Sequence, residues 1–118
     1  MIIQRSNTIL YCQKWADTVV FYRDLFQFKI RHQTDWFVEF QITPNSYLSI
    51  ANEIRASIDS VNGQGITLSW QVADIETAHK YWLEKQVSIS EIKKKWGAFV
   101  VYLHDPEGHR IELWQAST

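Results

Sequence analysis

The feature that most constrains the fold of this chain is an internal repeat of about sixty residues. Cys12 and Val72 occupy matching places 60 positions apart. Later in each half the separation is 63, as between Ile50 and Leu113. An insertion of three residues around positions 93–95 would explain the change. Two copies are too few for a solenoid, so the repeat predicts two small modules that share one fold.

The first half predicts the element order β-α-β-β-β. Asn7–Cys12 has strand character, and Trp15–Phe26 has the apolar spacing of an amphipathic helix. Lys14 stands where the second half has a capping Asp, so we expect this helix to begin a residue or two later, with Asp17 in its opening turn. Three strands are predicted next, at Lys29–Gln33, Trp36–Ile42 and Tyr47–Ala51.

The second half repeats this order. Gly65–Val72 alternates as a strand, and Asp74 can cap a helix that runs to Trp82 or Lys85. Three strands follow at Val87–Ile92, Ala98–Leu103 and Arg110–Trp114. We therefore predict an α+β fold in which two β-α-β-β-β modules form curved mixed sheets around a cleft. The whole chain, 1–118, is one domain, with module one at about 5–52 and module two at about 65–116.

Composition excludes several classes of function. The net charge of −1 gives no broad positive field for a phosphate backbone, so nucleic acid is not an expected partner. No apolar run reaches the roughly 20 residues that cross a bilayer, and the N-terminus does not resemble a signal peptide. The single cysteine, Cys12, excludes an internal disulfide framework and suits a reducing compartment. We expect a soluble cytoplasmic protein with no membrane partner.

Strand alternation separates two chemically different faces. One is apolar, as with Leu48 and Ile50, and is expected to pack on the helices. The other is polar and aromatic and is expected to face the cleft. Its candidate ligand-binding residues are Tyr11, Phe37, Glu39, Tyr47, Ser69, Tyr102, Arg110, Glu112 and Trp114.

Three motifs in this order resemble a known family. Phe21–Leu25 (FYRDL) is similar to the family's FYRDxLGF segment, Val72–Ile75 (VADI) to its VxDI step, and Asp105–Leu113 (DPEGHRIEL) to its closing DPDGNxIEL hairpin. The chain thus resembles the vicinal oxygen chelate superfamily, which includes glyoxalase I, extradiol dioxygenases and bleomycin resistance proteins. The resemblance implies two curved sheets around a ligand cleft, often completed by a homodimer. It does not by itself choose a reaction.

The resemblance also implies four metal-ligand positions. They correspond to Asn7, Ser49, Thr67 and Glu112, and of these only Glu112 is a strong ligand for a divalent metal. We therefore expect no metal and no other cofactor, with a divalent metal as the alternative. His104 and His109 are not expected to replace the missing ligands, because a turn histidine such as His109 usually faces solvent. His32 and His79 are expected at a strand end and on a helix surface.

Several hypotheses about function stay open. The first is a metal-independent protein that binds a small molecule, with sequestration of an antibiotic-like or aromatic metabolite as its most concrete form. The alternative is a lactoylglutathione-lyase-like enzyme, an epimerase or a dioxygenase that uses Glu112, with Glu39 as a second catalytic candidate. Glu112 could instead pair with Arg110 or bind a cationic group. A third hypothesis is a partner-binding domain whose cleft is filled by its own side chains.

Trp96 and Gln27 are two further positions with a specific structural prediction. Trp96 follows three lysines and is expected in a loop, where it could act as a lid over the cleft. Gln27 stands where the family usually has glycine after the first helix. Because glycine there permits a positive φ, Gln27 predicts a reshaped exit from that helix.

Overall fold

The computed structural model describes residues 1–117. Contacts between Cα atoms divide the chain into two compact units, Met1–Gly63 and Gln64–Thr118. The boundary falls inside the polar segment 52–64, where the sequence places the link between modules. No helix in the described part of the chain is both long and apolar enough to cross a membrane.

The first unit is one helical segment on a four-stranded mixed sheet. The order of strands across this sheet is β1-β4-β3-β2, with β1 parallel to β4 and the remaining neighbours antiparallel. Its elements are β1 (Ser6–Cys12), α1 (Trp15–Val20), a π-helical turn (Phe21–Leu25), β2 (Lys29–Gln33), β3 (Phe37–Thr43) and β4 (Ser46–Asn52).

The second unit repeats this architecture, with strand order β5-β8-β7-β6 and β5 parallel to β8. Its elements are β5 (Thr67–Gln71), α2 (Ile75–Glu84), β6 (Lys93–Lys95), β7 (Ala98–His104) and β8 (Arg110–Ala116). The predicted α+β class and the duplicated β-α-β-β-β order are confirmed. The cleft expected between the modules stays a prediction.

The prediction for the sixth strand was wrong. Val87–Ile92 is not a strand; Ile89 makes only an isolated bridge to Leu103. The edge strand is instead Lys93–Lys95, the segment that was interpreted as a loop insertion. An edge strand needs no apolar face of its own, and lysines there discourage pairing with another sheet. Because these three lysines show no apolar alternation, the sequence pattern did not predict the strand.

The first helix contains one wide turn that the sequence did not predict. Phe26 N–H donates to the Phe21 carbonyl at 3.2 Å, a bond that spans five residues instead of four. This turn absorbs one extra residue. Tyr22 corresponds to Trp82 at a separation of 60, whereas Gln27 corresponds to Gln86 at 59.

The two glutamines after the helices share an unusual backbone. Gln27 has φ of +61° and Gln86 has φ of +60°. The prediction that Gln27 reshapes the helix exit was wrong, because the backbone keeps the left-handed conformation that glycine would adopt more easily. At Gln86 this conformation closes α2 with two hydrogen bonds, from Gln86 N–H to the Leu83 carbonyl and from Val87 N–H to the Trp82 carbonyl.

The helix starts differ in their caps. Asp74 accepts hydrogen bonds from the backbone N–H groups of Glu76 and Thr77, and these bonds hold the pKa of its carboxyl below the usual value. Lys14 caps α1 with no side-chain hydrogen bond, and α1 begins at Trp15. The later start expected for α1 was therefore wrong, although Asp17 does lie in the first turn.

The apolar face of each sheet forms the core of its unit. In the first unit Val38, Phe40, Leu48 and Ile50 are completely buried, and in the second Val101 and Ile111 are. Cys12 is also buried, as expected for a small apolar side chain. The opposite face of each sheet carries the polar and aromatic residues.

Candidate functional site

Strand register places the predicted site residues of the second unit side by side. Glu112 on β8 lies between Ser69 on β5 and Tyr102 on β7, and Trp114 pairs with Val100 on the same face. Because directly paired residues in neighbouring strands share a face, these side chains project together.

The carboxylate of Glu112 is the centre of this group. Ser69 Oγ donates to Oε1 at 2.6 Å, and Tyr102 Oη donates to Oε2 at 2.9 Å. Each oxygen thus accepts a hydroxyl from a different neighbouring strand. The pairing between Glu112 and Arg110 considered from the sequence is not the arrangement found, since Arg110 Nε donates to Thr67 Oγ1 at 2.9 Å.

A pocket of about 350 Å³ opens beside Glu112, within the size range of small-molecule sites. Three aromatic residues line it, Tyr102, Trp114 and Trp96, and Glu112 supplies a carboxylate. We name it the Glu112 pocket. Its lining residues are Ser69, Lys95, Trp96, Ala98, Val100, Tyr102, Glu112 and Trp114.

Two cations flank the Tyr102 ring. Lys95 Nζ lies 5.1 Å from the ring centroid, and the guanidinium carbon of Arg110 lies 4.8 Å from it. Both distances suit a cation–π contact. The sequence identified Arg110 but missed Lys95, because Lys95 was assigned to a loop. The strand register, which pairs Lys95 with Ala98, brings it to the pocket.

The remaining predicted residues lie on the first unit. Glu39 accepts a hydrogen bond from Arg5 Nη2 at 2.9 Å, and the Arg5 guanidinium carbon lies 3.7 Å from the centroid of the Tyr47 ring. Arg5 was not predicted as a partner, since it precedes the first strand. Its charge balances that of Glu39, which makes Glu39 a weak candidate for a general base.

A second pocket, of about 360 Å³, lies on the same face of the first unit. Tyr11 and Phe37, both predicted for ligand binding, line it with Trp36 and Arg55. This pocket contains no carboxylate in its lining. Trp36 is half-buried and borders this pocket.

The four positions that correspond to metal ligands do not fit a divalent metal. Asn7 Oδ1 accepts a hydrogen bond from Ser49 Oγ at 2.9 Å, so both are engaged with each other. Thr67 accepts from the cationic Arg110, which would repel a metal ion there. Glu112 alone is a strong ligand. Within residues 1–117, no three His, Cys, Asp or Glu side chains are grouped to hold an ion.

The expectation that His109 faces solvent was wrong. His109 is 5% exposed, and its Nδ1 lies 2.7 Å from Asp105 Oδ2. Since a carboxylate can only accept, Nδ1 carries the donated hydrogen. Asp105 Oδ1 accepts three further bonds, from the N–H groups of Glu107, Gly108 and His109. This histidine thus secures the turn between β7 and β8.

The other histidines are outside the Glu112 pocket. His32 lies in β2 and is exposed, and His104 ends β7 and is exposed. His79 was expected on the helix surface. It is half-buried instead, with Nε2 3.1 Å from the Ser90 carbonyl oxygen.

The comparisons with known proteins agree on one family. The model of the glyoxalase-like domain matches residues 6–117. A lactoylglutathione lyase from Agrobacterium tumefaciens has a TM-score of 0.78 at 17% identity, over 94% of this chain and 92% of that one. An antibiotic binding protein from a Streptomyces species has a TM-score of 0.81 at 15% identity, over 99% and 97%.

A third similar structure is a glyoxalase/bleomycin resistance protein/dioxygenase from Nocardioides, with a TM-score of 0.80 at 16% identity, over 98% of this chain and 83% of that one. No curated protein is significantly similar to this sequence. At these identities the structural likeness concerns the fold alone.

Proposed function

The chain belongs to the glyoxalase-like domain family, and from that premise we propose that it is a binding protein for planar aromatic small molecules that works without a metal ion. The observation that carries the proposal is the composition of the Glu112 pocket. Tyr102, Trp114 and Trp96 supply flat apolar surface, and one carboxylate supplies a polar contact.

The hydrogen bonds of Glu112 support binding over catalysis. Both carboxylate oxygens already accept a hydroxyl, from Ser69 and Tyr102. Each oxygen keeps further acceptor capacity for a ligand hydroxyl or amine. A general base would need to take a proton from a substrate in the pocket, and among the described residues the lining holds no histidine and no second carboxylate to share that work with Glu112.

The donor set argues against the metal chemistry of the superfamily. Thr67 and Asn7 are neutral, and each already has a hydrogen-bond partner in its own unit. One of the similar structures is described as an antibiotic binding protein, so this fold also serves proteins described as binders. We propose that the present chain holds its ligand by aromatic contact and hydrogen bonds.

The proposal is tested by fluorescence titration of a panel of planar aromatic compounds in the presence of EDTA. We expect saturable binding that does not require added Zn²⁺, Ni²⁺, Mn²⁺ or Fe²⁺. Trp114→Ala should weaken binding by about tenfold, from the loss of ring contact. Glu112→Gln should weaken by about tenfold the binding of those compounds that carry a hydroxyl or amine donor for its carboxylate. Glu84→Gln, which removes an exposed carboxylate at the end of α2, is the matched control and should bind normally.

Two results would overturn the proposal. One is stoichiometric metal in the purified protein that is lost in Glu112→Gln. The other is turnover of a bound compound that disappears in the same variant, which would establish the enzyme alternative.

A further inference from the structure

The β6–β7 hairpin carries an exposed aromatic residue in a strained conformation. Trp96 is fully exposed, and its φ is +52°. Gly97 follows with φ of +75°, so these two residues form a hairpin turn with positive φ at both positions. Asparagine and glycine are the residues that adopt this turn easily. A tryptophan there costs both backbone strain and exposure of a large apolar ring.

Trp96 also borders the Glu112 pocket. Trp114 lies in β8 and Tyr102 in β7, so both are fixed by the sheet, whereas Trp96 lies in the turn at the pocket edge. A planar ring placed on Trp114 or Tyr102 would have one face covered by the sheet and the other left towards solvent. Trp96 is the lining residue with a large, exposed ring available to cover that second face.

The charges on this face of the sheet are mostly positive. Lys93, Lys95 and Arg110 pair with Val100, Ala98 and Thr67 and therefore share a face with Glu112. Glu112 is the one carboxylate in the lining of the pocket, and it already accepts two hydroxyl hydrogen bonds. Lys95 is the cation in that lining. An anionic ligand group is thus favoured over a cationic one near Lys95.

Building on the binding function proposed above, we propose that the Glu112 pocket selects planar aromatic anions. Trp96 covers the outer face of the bound ring, and Lys95 binds the anionic group. The left-handed Trp96 thus contributes to binding at the expense of stability.

Charge selection is tested with three probes that share one ring system: 2-naphthoate, 2-naphthamide and 2-naphthylmethylammonium. We expect the carboxylate to bind the wild-type protein about fivefold or more tighter than the amide, and the ammonium to bind weakest. Lys95→Met keeps the apolar stem and should remove the preference for naphthoate over the amide. Lys85→Met is the matched control, because Lys85 also lies over a tyrosine, 5.5 Å from the centroid of Tyr81, but outside the pocket.

The role of Trp96 is tested with Trp96→Asn, which suits the turn but removes the ring. We expect this variant to unfold at a higher temperature and yet to bind naphthoate about tenfold more weakly. Gln86→Asn is the matched control, since it replaces another left-handed residue that is remote from the pocket lining. It should raise the unfolding temperature without changing naphthoate binding.

The outcomes separate this inference from the proposed function. Equal binding of all three probes, or normal binding by Trp96→Asn, would overturn the inference and leave the aromatic binding function standing. Failure of the wild-type protein to bind any planar aromatic compound would overturn both.

Discussion

At the scale of single residues, the two hydroxyl partners of Glu112 determine what its carboxylate can do. Ser69 and Tyr102 come from the strands on either side of β8, so the carboxylate is fixed by the sheet itself. A fixed acceptor loses little conformational entropy when a ligand arrives. The same hydrogen bonds connect side chains of β5 and β7 to β8. Glu112 therefore also contributes to the stability of the folded protein.

Tyr102→Phe should therefore destabilise the protein by about 1 kcal/mol, because it removes one hydroxyl bond to a half-buried carboxylate. Tyr47→Phe is a matched control on the first unit. The Tyr47 hydroxyl reaches only a carbonyl at 3.5 Å, so its loss should change stability by less than about 0.5 kcal/mol. Urea unfolding measures both. Equal effects of the two substitutions would contradict this account of Glu112.

A substitution at Gln27 is expected to raise the stability of the folded protein. Its φ of +61° is strained for a residue with a Cβ atom, so Gln27→Gly should stabilise the protein by about 1 kcal/mol, less the larger entropy of glycine in the unfolded chain. Gln33→Gly, within β2, should instead destabilise it, because φ there is not positive. Thermal unfolding measures both, and a loss of stability in Gln27→Gly would show that the glutamine side chain has another role.

At the scale of elements, the turn between β7 and β8 is held by one buried carboxylate. Asp105→Ala removes the side-chain acceptor of three backbone N–H groups and of the His109 ring, so we expect a loss of about 3 kcal/mol. Asp105→Asn retains one acceptor oxygen and should lose less. Urea unfolding compares the two, and similar losses would mean that the backbone bonds matter little.

The cap of α2 gives a dependence on pH. Its hydrogen bonds lower the pKa of Asp74 in the folded protein, so its stabilising contribution is complete above the ordinary pKa of an aspartate and is lost as the pH falls through the lowered value. Asp74→Ala should therefore unfold at a lower temperature than the wild type at pH 7, and the difference should shrink as the pH falls below the ordinary pKa of an aspartate, about 3.9. A difference that is constant from pH 7 to pH 2 would contradict the charged cap.

The elements that the sequence predicted well are those with a strong local signal. The capping Asp74 and the apolar period of α2 gave its start at Ile75 and an end close to Glu84. The edge strand Lys93–Lys95 was missed because its place in the sheet depends on hydrogen bonds with β7, and not on an apolar pattern. The π-helical turn was missed because a period of 3.6 describes most of the same apolar positions.

At the scale of the whole molecule, the repeat and strand alternation were sufficient to separate the two faces of each sheet. They did not predict which residues the charged side chains on those faces contact. Arg5 reaches Glu39 from outside the first strand, and Lys95 reaches the Glu112 pocket from an edge strand that was not predicted. Such contacts depend on side-chain reach and strand register, which alternation alone does not determine.

The proposed independence of metal ions can be measured on the whole protein. An ion bound only to the folded state at one hundred times its dissociation constant would add about 2.7 kcal/mol of stability. We expect the unfolding temperature to be the same in EDTA and in excess Zn²⁺, Ni²⁺ or Mn²⁺. A rise with one metal that disappears in Glu112→Gln would show that Glu112 belongs to a working metal site.

The wide turn at Phe21–Leu25 indicates where insertions and deletions can be tolerated in such a gene. The two halves differ by one residue within their helices, and the left-handed glutamine that follows each helix is retained. A codon gained or lost in a strand would move every later side chain to the opposite face, whereas a helix absorbs it in one turn. Indels in the helices therefore leave the faces of the sheets free to evolve by substitution alone.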